Sequence, residues 1–308
     1  MNLSPTSPEP DRRAELLALT AELRPELHRY CARLMGSVID GEDVVQDTMA
    51  RALVALGEVE EIPPLRPWLF KIAHNRALDL LRSRTVRKTE PIEAAFDIAD
   101  EANPDPAEVL MRQEAVETAV SRFAELPLMQ RSVVILKDVL DESLKDIAEL
   151  LDLTVDAVKA HLARGRTRLR EINAQGIQMT AARPPSAATA RYVALFNARN
   201  WDGLRALLAD DVRLHQSTYP LRTGSADVGL FFTIYAKFEG VRLAPAWVEG
   251  REVIAVFESA GAEPSYFLWL EWRDGCISFI RDYRYARYIV NGAELMLASN
   301  SKAAGDGS

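Results

Sequence analysis

The chain has 308 residues, of which 48% are hydrophobic and 27% charged, and its formal net charge is −8. This size fits two or three domains that each bury a core. The acidic balance excludes a protein that coats nucleic acid through overall positive charge. No apolar run is as long as a membrane span, and the segment MNLSPTSPEPDRR lacks the apolar stretch of a signal peptide. Two cysteines far apart in sequence argue against a disulfide framework, and the four histidines show no metal-ligand spacing. We therefore expect a cytoplasmic protein without metal or cofactor.

Residues 11–88 are predicted to be almost entirely helical. Apolar side chains recur at helical spacing from Leu16 to Met35 and again from Val44 to Leu56. In the second run, one helix face carries acidic and amide side chains: Glu42, Asp43, Gln46 and Asp47. Such a strip suits a basic protein surface, although a solvated helix face has the same composition.

A basic segment follows between positions 66 and 88, with seven basic side chains and one acid, Asp79. Aromatic, imidazole and amide groups are interleaved with the cations, which is the combination that binds unpaired bases and their phosphates. The basic residues are Arg66, Lys71, Arg76, Arg82, Arg84, Arg87 and Lys88, and the interleaved ones are Trp68, Phe70, His74 and Asn75. The two aromatic residues also fit a role as core anchors of the helix.

Two linkers are predicted to separate three folded parts. Residues 89–110 are acidic and contain three prolines, and residues 173–188 are rich in Gly, Ala, Pro and Ser. These linkers delimit a helical domain at 11–88, a second helical domain at 111–172 and an α+β domain at 189–295.

The second helical domain ends in two short helices joined tightly at Asp152. Ser143, with Asp146 three residues later, predicts the start of the first helix, and Thr154 predicts the N-cap of the second. Basic side chains crowd the second helix: Lys159, His161, Arg164, Arg166, Arg168 and Arg170. A short helix, a tight turn and a cationic second helix are the elements that read a DNA major groove. A solvated helix of a bundle is the alternative, and the tight helix–turn–helix geometry argues against it.

Beyond residue 188 the pattern changes to short helices and strands. Helices are predicted within 189–209 and at 225–238. Strand-like runs occupy 212–216, 241–249, 252–258, 265–273 and 276–288. Asp274-Gly275 predicts a two-residue hairpin, in which Leu270 would pair with Phe279 and Leu268 with Arg281. Trp272, Arg281 and Tyr283 would then share one face of the sheet.

The helical segments resemble a sigma-70 family RNA polymerase sigma factor of the extracytoplasmic-function (ECF) group. Three stretches carry the resemblance: DGEDVVQDTMARAL (40–53), PWLFKIAHNRALDLLR (67–82), and LPLMQRSVVIL (126–136) with the helix pair that follows it. In that family the first docks on the polymerase clamp, the second opens and reads the promoter −10 element, and the third reads the −35 element. The implied partners are core RNA polymerase and promoter DNA, without a membrane.

The resemblance implies three sets of contact residues. The polymerase set is Glu42, Asp43, Gln46 and Asp47. The −10 set is Arg66, Lys71, His74, Asn75, Arg76 and Arg82. The −35 set is Lys159, His161, Arg164, Arg166 and Arg168. Within it, Lys159 and Arg164 occupy the base-reading face together with Ala160 and Ala163, and Arg166 and Arg168 are placed for phosphates.

Two positions depart from the family pattern. The region 4 turn usually carries Gly before the recognition helix, and here the sequence is Asp152-Leu153-Thr154. The Ala that usually follows the first Asp of the clamp-binding helix is Gly41, which we expect to loosen the start of that helix.

Residues 189–290 resemble a SnoaL-like domain, in which helices cap a curved, mainly antiparallel sheet around a pocket. The stretch RYVALFNARNWDGLRALLADDVRLH (191–215) and the last hairpin carry this resemblance. Related domains include cyclases and isomerases that use His, Asp or Tyr as acid or base. The residues suited here to a pocket, or to a contact between domains, are His215, Tyr219, Trp272, Arg281 and Tyr283.

The expected fold is therefore multidomain, with two all-α sigma domains followed by an α+β SnoaL-like cone. The leading hypothesis is a non-enzymatic initiation factor whose C-terminal domain contacts the sigma core and regulates it in cis. The alternative is a cyclase or isomerase, or a sensor of a small ligand, fused to a sigma core. A helix–turn–helix repressor is a third hypothesis, which the clamp-like helix and the tryptophan-bearing motif disfavour.

Overall fold

A computed structural model describes residues 12–56, 64–85, 106–175, 183–217, 219–258, 261 and 263–299. The chain divides into two compact units, residues 1–177 and 178–308. Among the helices in the described ranges, none is long and apolar enough to cross a lipid bilayer.

In its described ranges, the first unit has helices and no strand, as the sequence predicts. Its elements are α1 (Arg12–Met35), α2 (Val38–Leu56), α3 (Leu65–Thr85), α4 (Pro106–Glu117), a 3-10 turn (Val120–Glu125), α5 (Leu128–Val134), a π turn (Ile135–Val139), α6 (Leu144–Leu151) and α7 (Val155–Ala174). One hydrophobic core extends from Leu27 to Ile172 and includes residues of both helical parts.

Helix α4 begins at Pro106, inside the segment predicted as the first linker. Proline suits the first helical position because its missing N–H would have no partner there. Residues 89–105 of that linker, and residues 176–182 of the second, lie outside the described ranges, as do Arg87 and Lys88.

Gly41 has a packing role that the sequence did not reveal. A Cβ atom at this position would lie 2.5 Å from both the Cα and the backbone nitrogen of Ala32. Helices α1 and α2 therefore cross at a distance that only glycine permits, which gives Gly41 a packing role beside the expected loosening of the helix start.

The helix pair α6–α7 has the caps that its sequence predicts. The Ser143 hydroxyl accepts a hydrogen bond from the backbone N–H of Asp146 at 3.1 Å, and Thr154 accepts one from that of Ala157 at 3.1 Å. Between the helices, Asp152 adopts the left-handed conformation with φ 56°.

The second unit packs three helices against one mixed sheet. The helices are α8 (Ala187–Asn197), α9 (Trp201–Arg205) and α10 (Ser225–Ala236); the strands are β1 (Leu208–Gln216), β2 (Arg222–Thr223), β3 (Arg242–Val248), β4 (Arg251–Phe257), β5 (Tyr266–Arg273), β6 (Cys276–Asp282) and β7 (Leu295–Leu297). The strand order is β2-β1-β6-β5-β4-β3-β7, with β1 and β6 parallel and the other neighbours antiparallel. The α+β prediction is confirmed.

The predicted register of the last hairpin holds only near its turn. A bulge between Glu271 and Trp272 shifts the pairing, so Leu268 lies opposite Asp282 and not opposite Arg281. Because strand side chains alternate between faces, the one-residue shift places Trp272 and Arg281 on opposite faces. The predicted shared face of Trp272, Arg281 and Tyr283 is therefore wrong.

Candidate nucleic-acid and polymerase interface

Helix α7 presents a cationic groove on the side opposite its buried face. Its apolar side packs through Val158, Leu162, Leu169 and Ile172, and Gly165 lets α5 approach closely. On the outer side lies an open groove of about 460 Å³, lined by Pro127, Gln130, Ala163, Arg164, Thr167, Arg168 and Glu171. The groove brings together Ala163 and Arg164 of the predicted base-reading face and Arg168, a predicted phosphate contact.

Gln130 is a groove residue that the sequence did not point to, because it precedes the helix pair on α5. A Cβ atom at Gly165 would lie 3.3 Å from the Cβ of Gln130. The glycine inside a helical pattern is the signal that would have suggested a neighbour at this point.

Arg166 is placed differently from the rest of the −35 set. Its guanidinium is 13% exposed and forms two hydrogen bonds with Asp138, whose side chain is fully buried, at 2.9 and 2.6 Å. This geometry conflicts with the prediction of a phosphate contact, because the arginine neutralises a buried carboxylate of its own unit.

The other members of the −35 set differ in exposure. The Arg168 side chain is half-exposed and donates to Glu171 at 2.9 Å, while Arg164, Lys159 and His161 are partly buried. Partial burial, with Arg164 nearby, lowers the pKa of His161. This shift favours the neutral form of the imidazole.

The basic residues of the −10 set are largely engaged within the first unit. Arg66 pairs with Glu26 at 2.5 Å and also with Glu142. Two further ion pairs involve this set: Lys71 with Asp152 and Arg76 with Asp47, each at 2.6 Å. The cations are thus paired with carboxylates from α1, from α2, from the residue before the N-cap of α6 and from the α6–α7 turn.

His74, Asn75 and Arg82 complete the −10 set and have contrasting environments. His74 is buried, is hydrogen-bonded to the Tyr30 hydroxyl at 2.7 Å, and has its pKa lowered to about 4 by burial. A base contact by His74 is incompatible with this burial. Asn75 and Arg82 are exposed, and Arg82 lies 4.0 Å from Asp79.

The predicted acidic strip on α2 is not uniformly exposed. Glu42 is fully buried and accepts a hydrogen bond from Arg24 at 2.6 Å, and Gln46 donates to Glu42 at 3.4 Å. Glu42 therefore does not face solvent as the sequence suggested, whereas Asp43 and Asp47 are partly exposed. The part of the polymerase set open to a partner is the Asp43–Asp47 side.

In the second unit the predicted pocket residues fall into three places. His215 pairs with Arg281 across the parallel β1–β6 ladder. Tyr219 packs on Tyr285 with ring centroids 4.6 Å apart. Trp272 lies on the sheet face opposite to that of Arg281.

A buried polar cluster was not predicted as a unit. Asp282 is fully buried and accepts hydrogen bonds from Gln216 Nε2 at 2.6 Å and from the backbone N–H of Arg284 at 3.0 Å. Burial raises its pKa to about 6. The hydroxyls of Tyr235 and Tyr266 share a hydrogen bond of 2.6 Å, and burial, followed by the negative charge of Asp282, raises the pKa of both.

Arg164 offers a direct test of base reading. We expect Arg164→Ala to lower affinity for a cognate −35 duplex by about 1–3 kcal/mol, since a bidentate base contact has that value. Binding measured against wild-type and −35-mutated duplexes should show that the substitution removes most of the discrimination between them. Unchanged relative affinities would contradict base reading by Arg164.

Three family models match separate segments of the chain. Residues 19–87 match the family model of sigma-70 region 2, residues 118–169 that of sigma-70 region 4, and residues 189–279 that of a SnoaL-like domain. The matches place the helix–turn–helix in region 4 and the mixed sheet in the SnoaL-like domain.

Individual relatives of the chain include ECF RNA polymerase sigma factors. ECF RNA polymerase sigma factor SigG of Mycobacterium tuberculosis (strain H37Rv) is 31% identical over 222 residues, 64% of this chain and 60% of SigG, so the chain spans about 60% of that relative. SigW of Bacillus subtilis (strain 168) is 30% identical over 157 residues, 48% of this chain and 83% of SigW. The solved structure of the extracytoplasmic function sigma factor SigJ of M. tuberculosis is 20% identical to this chain, and the match covers 91% of this chain and 100% of SigJ with a TM-score of 0.34.

The capped helix pair α6–α7 lies within the segment that matches sigma-70 region 4. The chain belongs to the family of ECF RNA polymerase sigma factors, with a SnoaL-like domain after region 4.

Proposed function

We propose that this protein binds core RNA polymerase and directs it to promoters by contacts with the −10 and −35 elements. The observation that carries the proposal is the groove on α7, where Arg164 and Arg168 are displayed on a recognition helix that follows a capped tight turn. Its place of action is the cytoplasm, where polymerase and promoters are found.

The polymerase contact is assigned to the exposed side of α2. We expect Asp43→Arg with Asp47→Arg to reduce copurification with core polymerase by at least about tenfold, because both changes place like charges against a basic partner surface. Glu22→Arg with Glu117→Arg is the matched control, since these acids are also exposed and the change in net charge is the same. Circular dichroism would first show that both double variants are folded. If they then copurified equally well with core polymerase, the assignment would be overturned.

The SnoaL-like domain is proposed to regulate the sigma core through an intramolecular contact. Truncation after Gln175 keeps α7 complete and preserves the hydrogen bond of 2.9 Å from Asn173 to Thr118. We expect the truncated protein to give several-fold weaker transcription from a cognate promoter than the full chain at equal polymerase occupancy. Identical activity across salt concentration and temperature would remove the regulatory role.

A second candidate function is favoured by the Asp282 cluster. A buried carboxyl group with a raised pKa beside tyrosine hydroxyls is an arrangement that acid–base enzymes use. We nevertheless propose that the domain is not an enzyme, because the cluster is closed off from solvent: Asp282 and Tyr266 are both fully buried. Copurification of a small apolar ligand, or turnover lost in Asp282→Asn, would favour the cyclase or isomerase hypothesis, or a ligand sensor.

A further inference from the structure

The groove on α7 has a wall that lies outside the helix–turn–helix pair. Most of its lining residues belong to α7, whereas Pro127 and Gln130 come from the start of α5. Pro127 is the N-cap of α5, and Gln130 follows three residues later. The Gln130 side chain is half-buried, and its amide can donate two hydrogen bonds. The groove therefore brings a neutral donor from α5 to the arginines of the recognition helix.

Gly165 sets the distance between α5 and α7. A Cβ atom at this position would lie 2.6 Å from the Cγ2 atom of Val134 and 3.2 Å from the backbone oxygen of Gln130. A larger residue would therefore displace α5 from α7. Because the two helices pack this closely, the Gln130 side chain leaves α5 directly beside α7, and its position relative to the recognition helix is fixed.

The two arginines of the groove lie on one side of α7. Arg164 and Arg168 are four residues apart, so their side chains project from neighbouring turns of the same helix face. Arg168 also follows Gly165 by three residues, which makes the two positions neighbours on the helix surface. Both arginines line the groove together with Gln130. One neutral donor and two cations thus face the same open space.

The acidic residue of the groove indicates where an anion is favoured. Glu171 lies one turn farther along α7 and accepts a hydrogen bond from Arg168 at 2.9 Å. Its carboxylate repels a phosphate, so a phosphate is favoured at the other end of the groove, between Gln130 and the two arginines. The Arg168 guanidinium has enough donors to contact the carboxylate and the phosphate together.

The place of Gln130 beside α7 favours the DNA backbone over the bases. An α-helix with its side chains is about 10–12 Å wide and the major groove about 12 Å wide, so a recognition helix fills the groove. A residue on a second helix at its flank therefore lies over the sugar–phosphate backbone that borders the groove. Gln130 is such a residue, and glutamine amides are among the donors that contact phosphate oxygens in protein–DNA complexes.

We propose that Gln130 is a further DNA contact of this protein, which donates its side-chain amide to a backbone phosphate of the −35 duplex that Arg168 also contacts. The proposal rests on the proposed function, since it adds a residue of α5 to the −35 set. Gln130 holds the duplex without selecting its sequence, because a phosphate is the same in every base pair.

Gln130→Glu in the full chain, bound to core polymerase, tests the contact. Glutamate has nearly the same shape but places a carboxylate against the phosphate, so we expect promoter binding to weaken about tenfold. The loss should be the same on a duplex with a scrambled −35 element, and the salt slope should fall by about one. Gln113→Glu is the matched control, because Gln113 is exposed on α4 outside the groove and the change in charge is the same.

A second variant and a modified duplex separate this contact from a structural role. Gln130→Ala removes only a neutral donor, so binding should weaken about two- to tenfold with an unchanged salt slope. Replacing the phosphates of the −35 element one at a time by neutral methylphosphonates should reveal one position at which Gln130→Glu no longer weakens binding. The same methylphosphonate should reduce the effect of Arg168→Ala, because both side chains contact that phosphate.

Three results would overturn the contact while leaving the proposed function intact. The first is a folded Gln130→Glu that binds promoter duplex as tightly as the parent protein or the Gln113→Glu control. The second is a loss that depends on the −35 sequence or that no methylphosphonate suppresses, since Gln130 would then not contact a phosphate. The third is weaker copurification with core polymerase at unchanged DNA affinity, which would make the groove a protein-binding site.

The proposed function would fail by a different result. If the parent protein with core polymerase did not distinguish a promoter from unrelated duplex, the protein would not direct initiation, whatever the effect of Gln130→Glu on binding to duplex DNA.

Discussion

Replacing Arg166 by alanine is expected to destabilise the first unit by about 3–5 kcal/mol. Arg166 is bonded through two nitrogens to Asp138, whose side chain is fully buried, so removal of the guanidinium leaves a buried carboxylate without its counter-charge. Chemical denaturation would measure the loss of unfolding free energy. Hydrogen exchange at the amides of α5 and α7 would show whether the loss occurs around the Arg166–Asp138 pair.

Arg168→Ala is the matched control on the same helix. Arg168 is half-exposed and its pair with Glu171 lies at the surface, so its loss should change stability by at most about 0.5 kcal/mol. Its effect should appear in DNA binding instead, as an equal weakening for all duplexes and a salt slope reduced by about one. If Arg166→Ala were as stable as Arg168→Ala and showed that same change in salt slope, Arg166 would be a phosphate contact and not a partner of Asp138.

Asp282 is expected to make the second unit less stable as pH rises between about 4 and 6. Its pKa in the folded protein is about 6, above the value of 3.8 for the free group, because burial disfavours the charged carboxylate. The folded state therefore holds the proton more tightly than the unfolded state in this interval. The stability that Asp282 contributes is fully present below about pH 4 and is lost, by up to about 3 kcal/mol, as pH rises to about 6.

Tryptophan fluorescence during urea denaturation at several pH values would measure this change. Four of the five tryptophans, all except Trp68, lie in the second unit. Asp282→Asn keeps an oxygen acceptor for Gln216 without a charge, so it should remove the fall in stability contributed by this residue. The same pH profile in the parent protein and in Asp282→Asn would show that Asp282 is not the titrating group.

The sequence predicted those features that depend on neighbouring residues. The caps at Ser143 and Thr154 and the hairpin turn at Asp274-Gly275 are set by local backbone chemistry, and the structure contains them. The bulge near Glu271 escaped prediction because an alternating pattern gives no sign of one extra residue in the partner strand.

Contacts between residues distant in sequence escaped prediction for a related reason. A basic side chain on a cationic helix has the same spacing whether it faces DNA or a buried acid, so the pairing of Arg166 with Asp138 could not be read from the pattern. The burial of His74 and of Glu42 likewise depends on helix α1 packing over both. Periodicity identifies a helix face, but the tertiary partner decides whether that face is exposed.

Promoter-directed transcription reconstituted with core polymerase and the full chain tests the central claim most directly. On a promoter selected by this protein, we predict initiation at one start site, lost when either the −10 or the −35 element is scrambled and absent with core polymerase alone. The Asp43→Arg, Asp47→Arg variant should give no such transcript, and Glu22→Arg with Glu117→Arg should give it in full. If core polymerase showed no promoter-specific initiation with saturating amounts of the folded protein, that result would contradict its role as an initiation factor.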